Sequence, residues 1–306
     1  MSSQTQSRPV ADLESVRRAR SKQVVRGDLP RSTALIAWTV GTLSALALWT
    51  VLYPLVIGGL QEADSQQRLF ASLRRELSQA TAPLGPVQPG RPVALLDIPA
   101  TGLRGVVVVE GTASRELKTG PGHRRDTVLP GQVGTSVLLG RLATFGGPFG
   151  HLSALHARDV ITLTTGQGAF RYVVDGVRRP GDPLPSPRRA GTSRLVLGTA
   201  EGSGWRSGLA PTSVVYVDAT LSGKAVPAPT SRLAAVPKAE QPMGRSTSSL
   251  ISLVFWLQAL LLVLFGAVWL RSRWGHWQSW AVSFPVLLAV IIGTSGAASE
   301  LLPNLL

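Results

Sequence analysis

No cysteine occurs among the 306 residues. That absence excludes disulfides, thiolate metal sites, iron–sulfur clusters and every thiol nucleophile. Histidine is scarce as well. Four residues, with no His-x-x-x-His or His-Glu-x-x-His spacing, leave little room for a catalytic zinc centre. Acidic side chains number 17 against 31 Lys and Arg, a formal net charge of +14. A soluble chain this basic is ordinarily hydrophilic, yet the mean hydropathy is +0.19. Basic and apolar segments are therefore separated along the sequence, which is how membrane proteins are built. With 44% hydrophobic residues, disorder throughout is excluded.

Charge is missing altogether from three stretches: Thr33 to Leu60, Leu250 to Leu270, and roughly Ser279 to Ala298. About twenty apolar residues at ~1.5 Å rise cross a ~30 Å hydrocarbon core, so each is long enough to span a bilayer. The first is too long for a signal-peptide core and reads as an uncleaved anchor, with Pro54 near its outer end, where a kink costs least. Residues 1–32 carry seven basic side chains against three acidic ones, and Arg271 and Arg273 lie between the second and third stretches. The positive-inside rule then puts the N-terminus and that loop in the cytoplasm, and the long central region outside the membrane. Trp269, Trp274, Trp277 and Trp280 cluster at one junction as an interfacial belt.

The sequence thus divides into a basic cytoplasmic tail (1–32), a first span (33–60), a stalk helix (61–80), a Pro/Gly linker (81–93) and a β-domain (94–222). A second linker (223–248), a second span (249–271), a cytoplasmic loop (272–278), a third span (279–298) and an extracytoplasmic terminal segment (299–306) follow. The stalk is read from Leu69, Phe70, Leu73 and Leu77, which share one helical face. In the β-domain, short β-branched runs recur between Gly/Pro turns: Val106–Glu110, Ser136–Gly140, Val160–Thr164, Phe170–Asp175, Leu195–Thr199 and Val214–Ala219. Such spacing, with no helical period between, predicts a closed or sandwiched all-β domain. No nucleic-acid-binding pattern is present, so no nucleic acid is expected as a partner.

Read in order, the landmarks of this domain resemble a bacterial sortase of the class E-like form, a cysteine transpeptidase that anchors proteins to the Gram-positive wall. They are Leu96-Asp-Ile-Pro-Ala-Thr-Gly-Leu103, Val107-Val-Val-Glu-Gly111, Leu117-Lys-Thr-Gly-Pro-Gly-His123, Leu129-Pro-Gly-Gln-Val-Gly134, Gly146-Gly-Pro-Phe149, Tyr172-Val-Val174 and Pro183-Leu-Pro185. The resemblance implies an all-β, eight-stranded sortase-like barrel outside the membrane, here joined to three transmembrane α-helices. It also implies a high-GC, actinobacterial Gram-positive source.

At the catalytic positions the chain departs from the family. Sortases use a Cys nucleophile, a His for proton transfer and an Arg that steadies the oxyanion or the substrate. By the resemblance, Arg141 stands in the His position, Ala200 in the Cys position and Ser213 (or Thr212) in the Arg position. Thr199 adjoins the lost nucleophile, but neighbouring strand residues face opposite sides, so its hydroxyl is expected to point away from the groove. His123 is read as a turn residue, His151 and His156 as surface or core-edge residues, and Ser203 and Ser207 as badly placed loop hydroxyls.

A pseudoenzyme follows, with no catalytic residue, no cofactor and no metal expected, and with Arg141, Ala200, Ser213 and Thr199 lining a partner-binding groove. The expected role is a binding or scaffold subunit of a cell-envelope membrane assembly, homo- or hetero-oligomeric, whose partners are other membrane or envelope proteins and the lipid bilayer. The alternative is a non-thiol transpeptidase or peptidase acting through Thr199.

Overall fold

Apolar, β-branched runs bounded by Gly and Pro turns form eight strands in the computed structural model. It describes residues 52–202, 211–229, 235–244, 249–274 and 276–306, together with Val40, Gly41, Ser44, Leu48 and Trp49. The strands are β1 (Pro92–Ile98), β2 (Leu103–Glu110), β3 (Gly122–His123), β4 (Gly134–Leu139), β5 (Val160–Thr165), β6 (Gly168–Arg178), β7 (Ser193–Glu201) and β8 (Ser213–Leu221). They close into a barrel in the order β1-β2-β3-β4-β7-β8-β6-β5. Most neighbours are antiparallel, but β2 pairs with β3 in parallel, and so does β4 with β7, from Gly134↔Ser193 to Leu139↔Gly198. The two-residue β3 closes the barrel between Val109–Glu110 of β2 and Leu138–Leu139 of β4. The interior is filled by Leu96, Ile98, Leu138, Ile161, Tyr172, Leu195 and Leu197, all at 0% exposure. The expected all-β barrel of eight strands is therefore present.

Helix α1 (Gly58–Ser78) follows a π-helical turn at Tyr53–Ile57. Pro54 lies in that turn, and its carbonyl accepts the Phe145 amide at 2.9 Å. A carbonyl released by a wide turn is thus satisfied by the barrel. Helix α1 also lies against the barrel instead of standing free. Its Gln66 accepts the Val107 amide at 2.7 Å and donates to the carbonyls of Val107 and Thr119 at 3.1 and 2.6 Å. Leu73 is 1% exposed beneath it.

The short helix α2 (Ser114–Leu117) sits between β2 and β3, and α3 (Ser249–Trp274) and α4 (His276–Ser299) end the chain as an antiparallel pair. Among the described residues two helices, α3 and α4, not three, are long and apolar enough to cross a membrane. Most of the expected first span falls outside the described residues, as do the basic tail and Ser203 and Ser207. Only Gly275 separates the two helices, so residues 272–274 and 276–278, read from the sequence as loop, are helical. The small residues of α4 pack within the chain. A Cβ on Gly293 would overlap the Trp256 ring, and Ser295 accepts the Trp49 indole N–H at 2.8 Å.

The second linker is also held to the barrel. Val226 exchanges backbone hydrogen bonds with Gly131 and Val133 at 2.9 and 2.8 Å. Arg125 donates Nε to both oxygens of buried Glu240 at 3.1 and 3.0 Å.

Candidate functional site

Strand pairing brings together the three residues singled out from the resemblance, Arg141, Ala200 and Ser213. The parallel register Leu139↔Gly198 sets the Gly140-Arg141 exit of β4 beside Thr199-Ala200. The antiparallel register Ala200↔Val214 and Glu201↔Ser213 adds the start of β8. One end of the β4–β7–β8 sheet thus carries Arg141, Ala200 and Ser213.

The two faces of β7 divide as strand alternation requires. Leu195 and Leu197 point into the barrel. Thr199 continues that parity, is 1% exposed, and donates its hydroxyl to the Gly140 carbonyl at 2.9 Å. Ala200 takes the outer face, in an apolar cluster with Leu117, Leu139 and Leu305. Ser213 is half-buried and donates to the Glu201 carbonyl at 3.3 Å.

Arg141 is 0% exposed. Its Nη1 donates to Thr144 Oγ1 at 2.9 Å and to the Leu306 main-chain oxygen at 3.3 Å. Its Nη2 donates to the Ser114 carbonyl and Oγ at 3.2 and 2.7 Å. The guanidinium also lies 4.9 Å from the centroid of the Phe145 ring. Nε has no hydrogen-bond partner among the described residues. Burial draws the guanidinium down to about 10, with the charge of Glu300 acting the other way. It remains a cation at pH 7 and cannot accept a proton.

Lys118 also lies against the Phe145 ring, 5.5 Å from its centroid. Its ammonium donates to the Gly296 carbonyl in the last turn of α4 at 2.6 Å and to Glu300 Oε1 at 3.2 Å. A cation is favoured at a helix C-terminus, where the last carbonyls lack helical partners. Burial lowers Lys118 to about 8, against the opposing influence of Glu300.

The other sequence candidates lie apart from this group. His123 is buried, with Nδ1 2.8 Å from Glu110 Oε2 and Nε2 2.9 Å from the Val128 carbonyl. It lies in β3, where the sequence reading has a turn, and links the Glu110 carboxylate of β2 to the Val128 carbonyl. His151 and His156 are exposed. Among the described residues no three His, Asp or Glu side chains converge where a metal ion could be held.

The lining supplied from afar has no signature in the sequence. Ser114, Thr144, Lys118, Glu300 and Leu305 come from segments with no shared motif, and Leu306 meets Arg141 across 165 positions. The one local signal is Leu138-Leu139. Consecutive apolar residues on a strand put one of the pair on the outer face, and Leu139 is the one that does so.

Three comparisons bear on this geometry. Residues 96–199 match the family model described as "Sortase domain". Among solved structures, a sortase transpeptidase from Clostridium perfringens is 20% identical with a TM-score of 0.44, covering 52% of this chain and 99% of its own. Sortase E from Streptomyces avermitilis is 29% identical with a TM-score of 0.38, covering 51% and 100%. A sortase from Actinomyces oris is 24% identical with a TM-score of 0.40, covering 46% and 86%. The comparison with curated proteins gave no match. The matched segment opens in β1 and closes at Thr199 in β7, so residues 96–199 of this chain form a sortase-like domain.

Proposed function

We propose that this chain is a non-catalytic, sortase-like membrane protein that works by binding, as a scaffold or subunit of a cell-envelope assembly. The observation that carries this reading is the absence of any cysteine, together with Ala200, which the resemblance puts in the nucleophile's position and which is a buried methyl group among Leu117, Leu139 and Leu305. A methyl group has no lone pair with which to attack a carbonyl. Arg141 beside it stays protonated at neutral pH, so it does not act as the base that the family's His supplies. Thr199 is a poor substitute, since its hydroxyl is turned inward and committed to Gly140.

What remains to the domain is contact. The two apolar helices support membrane attachment, and the basic residues of 1–32 and the α3–α4 junction favour a cytoplasmic N-terminus with the barrel outside. The test is to incubate the full chain, purified in mild detergent, with sortase-type peptides and an amine acceptor. The expected result is no cleavage or amide exchange, together with an elution size larger than a single chain and specific co-purifying envelope proteins. Turnover abolished by Thr199→Val would replace this reading with the non-thiol transpeptidase. A lone monomer that retains no partner would remove the scaffold role.

A further inference from the structure

The outer face of the barrel at Ala200 is covered by the chain itself. After α4 ends at Ser299, residues 300–306 turn back onto the outer face of β4 and β7. The way they are held is the way a peptide is held by a receptor, through its main chain for affinity and through side-chain pockets for selectivity. The Leu305 carbonyl accepts the Leu142 amide at 2.9 Å, and the Leu306 oxygen accepts hydrogen bonds from Arg141 and from the Thr144 hydroxyl. The Leu305 side chain is 0% exposed among Leu117, Leu139 and Ala200. Asn304, also 0% exposed, donates its amide to the carbonyls of Ala239 and Gln241 at 2.6 and 2.8 Å.

We propose that residues 303–306 act as a latch in cis, seated through their main chain and through Leu305 on the outer face of β4 and β7 at Ala200. The segment holds α4 to the barrel. The proposal deepens the non-catalytic reading of the same site and rests on it for its meaning, because a self-covered face with no nucleophile is a joint and not a blocked enzyme. The buried Arg141 then supplies the hydrogen-bond donors that a peptide carbonyl needs where water is excluded. Lys118 sets the approach by holding the end of α4 through Gly296 and Glu300.

Because the chain lacks cysteine, one introduced thiol reports on one place. Ala200→Cys puts that thiol on the covered face of the full chain in detergent, and its alkylation by a maleimide is timed. With residues 303–306 deleted, or with Leu305→Asp, the thiol is expected to react at least about ten-fold faster than with the segment intact, the rate gain of a local opening that no longer has to occur. Ala219→Cys, placed inside the barrel, is expected to stay unreactive in all three backgrounds. Equal rates at position 200 with and without the segment would overturn the proposal. Loss of protection at position 219 would overturn it too, by making 303–306 part of the barrel's folding core. Peptide turnover by the unmodified chain would instead defeat the non-catalytic reading while leaving the protection result intact.

Discussion

At Ala200 the side chain ends in a methyl group under Leu305, and the guanidinium of Arg141 beside it keeps its proton at neutral pH. Neither of these two side chains is an attacking atom or a proton acceptor at neutral pH. Other single residues carry measurable consequences. Glu62, on α1 with its carboxyl against the Gly146 turn, is pushed up to about 7 by burial alone. A carboxyl whose folded pKa is raised binds more protons folded than unfolded. Its contribution to stability is full below about pH 4.5 and is lost as pH rises through 7. Glu62→Gln should flatten that part of the melting-temperature profile and leave the variant the more stable form at pH 8. A difference between variant and parent that does not change from pH 4.5 to 8 would refute the assignment. Lys118, lowered to about 8, has the opposite sign: its contribution is present above its ordinary 10.5 and is lost as pH falls through 8. Gly131 is a third case. At φ +92° its amide donates to the Tyr172 hydroxyl at 2.6 Å, and an added Cβ would overlap the Phe170 ring. Gly131→Ala should cost about 1–3 kcal/mol in chemical denaturation, the usual range for overpacking.

Among the elements, α1 is a docked helix where the sequence suggests a stalk. The periodicity of Leu69, Phe70, Leu73 and Leu77 is enough to find the helix, and Leu73 is the residue of that face that is fully buried. The sequence cannot show that Gln66 pairs with Val107 and Thr119, because a glutamine on a helix surface carries no directional signature. Gln66→Ala leaves a strand amide and a loop carbonyl without their partner, so a loss of about 1–3 kcal/mol is expected from denaturant titration of the full chain. A change within experimental error would mean that water replaces the glutamine.

The strands divide in the same way. Six of the eight are legible as β-branched runs between turns. β1 is not, because it begins at Pro92 inside an apparent Pro/Gly linker and because apolar Leu95 stands at one of the half-buried positions, which hides its alternation in the sequence. β3 is two residues long and is defined only by its neighbours. The small residues of α4 do mark a close helix contact. Their partner, however, is Trp256 of the same chain, a packing choice that composition leaves open.

Taken whole, the molecule joins a sortase-like barrel to two apolar helices through contacts that the sequence hides. Arg141, Ala200 and Ser213 can be picked out as residues, and strand register brings them to one end of the sheet. Long-range closure is not visible: Lys118 meets the end of α4 across 178 positions, and Leu305 covers Ala200 from the far end of the chain. Such closure depends on which elements end up adjacent in space, and no local pattern records that. The most direct measurement is the intact mass of the full-length chain after prolonged incubation with a sortase-type peptide. An unchanged mass and intact peptide are expected. A chain heavier by an acyl fragment of the peptide, formed and discharged with turnover, would contradict the reading of this barrel as a binding module.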